Sequence, residues 1–381
     1  MSMRWDIFCS VVDNYGDIGV TWRLARQLAA EHGLAVRLWV DDLRAFQRIR
    51  PQCDAASEAQ WLEGVEVRHW SQRLPEVEPA DVVIEAFACT LPEAFVAAMA
   101  ARASRPLWLN LEYLSAEAWV TSCHGLPSPQ ANGLQKFFFF PGFVEGSGGL
   151  PRESDLLARR SRFQADPEAR RAFLAGLGVE QWTGARLVSL FAYENAALPA
   201  WLDALAQAPE RTQLLVPRGR IEADLLPWLG VDAAAQRDCW RRGNLQVHLL
   251  PFVSQDDYDR LLWSCDLNAV RGEDSFVRAQ WAGRPLLWHI YQQEEGAHWD
   301  KLDAFLALYG EGLPPAAGAA LVDCWHAWNG RGDMAQAWRA LSSQMGFLSA
   351  HAQSWCATQA SRPDLAAALV QFHRNWLSCA A

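Results

Sequence analysis

Several signatures that would settle a function at once are missing from this chain of 381 residues. It has no G-x-x-x-x-G-K-[ST] loop, no H-E-x-x-H helix and no G-x-S-x-G elbow, so P-loop, zincin and α/β-hydrolase chemistry are set aside. The nine His show no metal-ligand spacing. The nine Cys stand singly, without a C-x-x-C pair, which reads as reduced thiols in a cytoplasmic protein and not as a disulfide framework. No run approaches the roughly 18 uncharged apolar residues of a membrane span. The opening segment, Met1 to Cys9, breaks its short apolar run with Arg4 and Asp6, unlike a secretion signal. Positive charge is in deficit: 34 Lys+Arg against 44 Asp+Glu leave a net charge of -10, which repels nucleic acid and anionic membrane surfaces. The expectation is a soluble cytoplasmic chain with neither nucleic acid nor membrane as partner.

What is present describes a globular protein. Hydrophobic residues make up 51% and charged residues 20%, a balance that excludes a disordered tail, and the length suits two domains. The 20 Trp are dispersed, so they read as core residues more than as a stacking site. Apolar runs of strand length at Trp5–Val12, Ala35–Val40, Asp81–Phe87, Pro106–Leu111 and Lys136–Phe140 alternate with helical patterns at Asp17–His32 and Pro92–Ala103. A second series starts at Arg186–Tyr193 and runs through Gln213–Val216, Gln246–Phe252, Leu267–Val270 and Pro285–Ile290. Strands separated by helices of this length indicate βαβ units and parallel sheets. The expected architecture is α/β: two doubly wound, Rossmann-like domains facing across a ligand crevice. The Gly-rich run Pro141–Leu150 marks the first boundary. The expected division is an N-terminal domain at 1–150, a helical linker at 151–184, a C-terminal domain at 185–361, and a last helix at 362–381 crossing back onto the first domain.

The first crossover turn, Asp13-Asn-Tyr-Gly-Asp17-Ile-Gly19, stands where a dinucleotide fold has G-x-G-x-x-G, and it fails that pattern. Two carboxylates would repel a pyrophosphate at this helix start, so the turn is no phosphate cradle. Asp17 reads either as a helix N-cap or as a general base at the crevice edge. Glu112, two residues after Asn110, is a third acid on the same rim. The mirror position in the second half is Arg271-Gly-Glu273-Asp274-Ser275, at a strand end before a helix. There Ser275 would cap, backbone amides would face an anion and Arg271 would supply a cation, which suits a diphosphate. Phe191, Tyr193, Phe252 and Gln255 end neighbouring strands and offer rings and an amide to a nucleobase. One D-x-D occurs, Asp257-Tyr258-Asp259, but on a helix its two acids point apart, so a metal-free mechanism is expected.

An acidic first half and an anion site in the second describe a GT-B glycosyltransferase using a nucleotide sugar. The runs D-N-Y-G-D-I-G-V-T-W-R-L-A-R-Q-L from Asp13, P-G-F-V-E-G-S-G-G-L from Pro141, F-A-Y-E-N from Phe191 and R-G-E-D-S-F-V-R-A-Q-W-A-G-R-P from Arg271 are long. Together with the Trp-rich C-terminal part, they resemble the elongation factor P arginine rhamnosyltransferases, the EarP family, across essentially the whole chain. The resemblance implies inverting transfer of L-rhamnose from dTDP-β-L-rhamnose to an arginine side chain of elongation factor P, with no cofactor and no metal. It implies Asp17 as base, with Asp13 and Glu273 holding or polarising the guanidinium and Glu112 assisting. Tyr193, Arg271, Asp274 and Ser275 would hold dTDP, with Phe252 and Gln255 at the thymine and the Tyr258 ring packing the base. Two alternatives remain: a glycosyltransferase of the same fold with a different acceptor, and a dTDP-binding interaction protein without catalysis.

Overall fold

The computed structural model describes residues 3–12, 15–71, 74, 77–87, 89–231 and 238–380. It divides into two compact units, one of residues 1–154 and 359–381, the other of residues 155–358.

In chain order the first unit contains β1 (Arg4–Cys9), α1 (Gly16–His32), β2 (Ala35–Val40), α2 (Leu43–Ile49), β3 (Ala59–Leu62) and β4 (Val65–His69). It continues with β5 (Val82–Ala86), α3 (Glu93–Ala101), β6 (Leu107–Leu111), α4 (Val120–Cys123), β7 (Pro127–Pro129) and β8 (Gln135–Phe139). The sheet order is β3-β4-β2-β1-β5-β6-β8-β7, parallel except for antiparallel edge pairs at each end. β1 is central, which explains its near-continuous apolar run: Trp5, Ile7, Phe8 and Cys9 are all buried, as a strand covered on both faces requires. Asp6 is the exception, a fully buried carboxylate. Arg37 on β2 meets it with two bonds of 2.6 and 2.8 Å, and the Trp39 indole and the Ala80 amide donate to it at 3.1 and 2.9 Å. Four donors offset the cost of removing that charge from water. α1 buries Ile18, Trp22, Leu24 and Leu28, each contributing about 1.5–3 kcal/mol, and ends at Gly33, whose φ of 65° lets its amide close on Leu28.

The second unit opens with α5 (Leu156–Ala165) and α6 (Pro167–Gly176), which the sequence set apart as a linker; α5 packs on the later helix at 255–264. Then come β9 (Arg186–Leu190), α7 (Leu198–Gln207), β10 (Thr212–Pro217), α8 (Glu222–Leu229), β11 (Cys239–Arg242) and β12 (Leu245–Leu250). The sheet is completed through α9 (Gln255–Ser264), β13 (Leu267–Arg271), α10 (Asp274–Trp281) and β14 (Leu286–His289). Its order is β11-β12-β10-β9-β13-β14, parallel but for β11. Four helices follow: α11 (Ala297–Tyr309), α12 (Pro315–Trp328), α13 (Met334–Ser342) and α14 (Met345–Ala360). Trp201, Trp328 and Trp338 meet edge to face in this core, with centroids 5.0 and 5.4 Å from Trp201. The last helix, α15 (Leu365–Ala380), belongs to the first unit: Gln27 bonds Asp364 at 3.0 Å, Arg152 bonds Ala360 and Arg362 carbonyls, and His373 packs on Trp5. No described helix is long and apolar enough to cross a membrane, and the nine cysteines are free thiols.

Candidate active site

In each sheet the strand order reverses beside the first strand, between β1 and β5 in one unit and between β9 and β13 in the other. Carboxyl ends of parallel strands at such a switch point are where open α/β sheets bind ligands. Those residues singled out in the sequence that the structure describes lie near these two places.

At the second switch point Arg271 is the last residue of β13 and 5% exposed. Its guanidinium sits 4.4 Å from the Phe191 ring centroid and 4.6 Å from that of Tyr193, and Nη1 reaches the Ala192 carbonyl at 3.5 Å. Two aromatic faces orient a delocalised cation without neutralising it, which suits an anion receptor. Gly272 follows with φ 56°, a left-handed turn that admits β13 directly into α10 and that a side chain would strain. Glu273 occupies the N-cap position and Asp274 begins the helix.

Ser275 corrects the expectation of a cap. It lies inside α10, its hydroxyl donates to the Arg271 carbonyl four residues back, and it accepts from the Arg271 amide at 3.1 Å. A serine in the first turn bonds back along the helix in this way. The effect is to fasten the helix start to Arg271. The amides at that start remain directed as an anion site requires.

Beside them, Gln255 donates to Asp274 at 3.4 Å, and the Tyr258 ring meets Phe191 edge on at 5.6 Å. Burial pushes the Tyr258 phenol well above its ordinary value, so it stays a neutral O–H. Phe252 is half-buried in the loop between β12 and α9. Glu273 is bound to Lys301 at 3.2 Å. The D-Y-D run is not a carboxylate pair: Asp257 faces Arg260 and Ser254, while Asp259 is buried against Arg278. Among the described residues no group of three His, Cys, Asp or Glu is arranged to hold a metal.

Three site residues escaped the sequence. His289 and Tyr291 flank the Tyr193 ring at 5.4 and 5.6 Å, and the Arg220 guanidinium stands 5.4 Å from it, paired with Glu194 at 2.6 Å. That bond from Arg220 holds the Glu194 carboxyl below its usual range. Burial first, and then the positive charge of Arg271, bring His289 down to about 4, so its imidazole is neutral. The signal for both His289 and Tyr291 was their place at the end of a strand already recognised.

At the first switch point Asp17 is the second residue of α1 and 3% exposed. It is not the N-cap, a position held by Tyr15. Its carboxylate turns back beyond the helix and accepts the Val12 amide at 2.9 Å, which fixes its direction, while a first-turn acid is favoured by the helix dipole. Asp41, unmarked in the sequence, takes the Ser10 hydroxyl and Val11 amide at 2.5 and 2.9 Å and holds the same turn. Glu112 follows β6, half-buried, and accepts from Asn110 at 2.5 Å. Phe87, a non-glycine at φ 57°, stacks on Tyr113 at 4.9 Å on this edge. Strain of that kind, about 1–3 kcal/mol, gathers at functional edges. Asp13 lies outside the described residues.

Two Rossmann-like units, the second with a caged arginine and a helix start at its switch point, define the class: a glycosyltransferase of the GT-B fold. The solved MurG of Acinetobacter baumannii shares that fold at a TM-score of 0.51 and 13% identity, covering 98% of this chain and 99% of its own. The family model described as elongation factor P (EF-P) rhamnosyltransferase EarP matches residues 5–374, and the chain belongs to that family, the protein-arginine rhamnosyltransferases. The protein-arginine rhamnosyltransferase of Pseudomonas putida is 65% identical over 377 residues, covering 99% of this chain and 100% of the relative. That of Pseudomonas aeruginosa is 62% identical, covering 98% and 99%. A solved structure concerned with EarP-mediated arginine glycosylation of translation elongation factor EF-P matches at a TM-score of 0.71 and 51% identity, covering 98% of this chain and 99% of its own.

Proposed function

We propose that this protein transfers L-rhamnose from dTDP-β-L-rhamnose to an arginine side chain of elongation factor P, with inversion at the anomeric carbon and without a metal ion. The observation that carries the donor half is the Arg271 guanidinium held between Phe191 and Tyr193 at the mouth of β9 and β13, directly before α10. Arg271, the Tyr193 hydroxyl and the first amides of α10 bind the diphosphate and take up the charge that grows on the leaving oxygen. Phe252, Gln255 and Tyr258 enclose the thymine. The negative charge on Asp13 and Asp17 belongs to the acceptor half, with Glu112 assisting.

In the reaction, a guanidinium nitrogen attacks the anomeric carbon from the face opposite the leaving group. The C–N bond forms, the C–O bond to dTDP breaks with its electrons on the phosphate, and one guanidinium proton passes to Asp17. Full deprotonation before attack would cost about 12 kcal/mol, because arginine and an ordinary aspartate differ by about nine pKa units. The proton therefore moves as the bond forms, when the nitrogen is acidified by its new carbon. Asp13 holds the guanidinium, and Glu273 shares that role with its bond to Lys301.

The anomeric configuration of the arginine product, read by NMR, tests this scheme. An α-linked rhamnose from the β-configured donor supports it, and a β-linked product overturns direct displacement. Omitting elongation factor P, or replacing its acceptor arginine by lysine, must abolish sugar transfer if the acceptor is correctly assigned.

A further inference from the structure

We infer that the buried ion pair between Asp259 and Arg278 is a positioning element of the donor site, holding the starts of α9 and α10 at the spacing dTDP requires. The inference rests on the assignment of dTDP to the second unit.

The two helices meet in two rungs. Gln255 and Asp259 are four apart on α9, and Asp274 and Arg278 are four apart on α10, so each pair shares one helix face. The upper rung, Gln255 to Asp274 at 3.4 Å, lies among the residues assigned to the donor. One turn deeper, Arg278 grips Asp259 with both arms: Nε to Oδ1 at 2.9 Å and Nη2 to Oδ2 at 2.5 Å, with both side chains 1% exposed. Between the rungs, Tyr258 turns its ring to Phe191. On the far side of the α10 start, the Trp288 indole holds the Gly272 carbonyl at 2.8 Å.

A buried ion pair is a poor source of stability, since apolar residues of similar volume do as well or better. What it supplies is direction. A two-toothed arginine–carboxylate bond fixes rotation and height together, whereas hydrophobic contact fixes neither. Because a helix is stiff over one turn of about 5.4 Å, fixing Asp259 on Arg278 fixes Gln255 against Asp274 and the first amides of α10 against Tyr258. This also gives the D-Y-D run its duties: Asp257, 42% exposed, pairs with Arg260 outside, Tyr258 faces the site, and Asp259 locks the helix from within.

The test replaces the pair by an apolar one, Asp259→Leu with Arg278→Met, in the full-length protein. Thermal melting, dTDP affinity by calorimetry, and KM for each substrate are then measured. The expected result is a melting temperature within about 4 °C of the parent. Affinity for dTDP should fall roughly 10- to 100-fold, the cost of misplacing a binding group by about 1 Å, with a matching rise in donor KM and an unchanged KM for elongation factor P. A merely structural pair would give a folded variant that binds dTDP within about twofold of the parent, and that result overturns the inference. If the apolar pair does not fold, Arg278→Lys keeps the charge and loses the fork, and parental dTDP affinity there overturns the inference equally. Arg271→Ala run alongside separates the two readings. If Arg271→Ala binds dTDP normally, the donor assignment itself has failed. If it loses dTDP while the apolar pair keeps it, only the positioning role has failed.

Discussion

Truncating Arg271 to alanine removes a cation that the structure holds against two rings, Phe191 and Tyr193, at the second switch point. A charge-assisted hydrogen bond to phosphate is worth about 1.5–3 kcal/mol, so dTDP affinity should fall roughly 10- to 150-fold. The same truncation empties the space between Phe191 and Tyr193, and Arg271 is 5% exposed, so part of the loss would come from collapse of the rings. Arg271→Met separates these effects, because it refills the volume without the charge. It should recover most of the melting temperature and almost none of the affinity. Arg271→Lys retains a charge but not the planar fork or its stacking, and should bind between the two. Calorimetric titration with dTDP, paired with thermal melting, reads all three variants. Parental dTDP affinity in Arg271→Met would refute the reasoning, since the cage would then be packing alone.

Asp17→Asn should bind dTDP as the parent does yet turn over roughly 10²- to 10⁴-fold more slowly, the span of general base catalysis; turnover within about tenfold would remove Asp17 as the base. Dialysis against EDTA should leave transfer unchanged, since Arg271, Tyr193 and the start of α10 meet the leaving charge; loss restored by Mg²⁺ would contradict this. His289 is neutral in the fold and titrates at about 4 against an ordinary 6.5, so the unfolded chain takes up the proton first as pH falls. Its contribution is complete above pH 6.5 and is lost towards pH 4; urea unfolding of the parent should therefore weaken by about 2 kcal/mol more than that of His289→Gln between pH 7 and pH 5. Equal losses in both proteins would contradict the neutral imidazole.

Periodicity exposed the central strands and long helices because burial on both faces writes a continuous apolar run, as in Ile7, Phe8 and Cys9. Edge elements carry no such record. The β3–β4 hairpin turns at Glu63 and Gly64 with φ of 47° and 80°, a geometry usually announced by Asn-Gly or Asp-Gly, so the Glu-Gly pair passed unnoticed. α8 contains Pro227, which reads as a break. At the site, Arg271 was legible because it stands at a strand end before a glycine turn. Ser275 was misread because α10 begins two residues earlier than a capping serine requires, with Glu273 at the N-cap. Arg220 was illegible, and His289 went unmarked although its strand was recognised, because both reach Tyr193 from the ends of other strands and only the sheet order brings those ends together.

Mass spectrometry of elongation factor P after incubation with this protein and dTDP-β-L-rhamnose tests the central claim most directly. The account predicts one added deoxyhexose, located by fragmentation on a single arginine, with dTDP released in equal amount. Unmodified elongation factor P, or a sugar carried on any other residue, would contradict it.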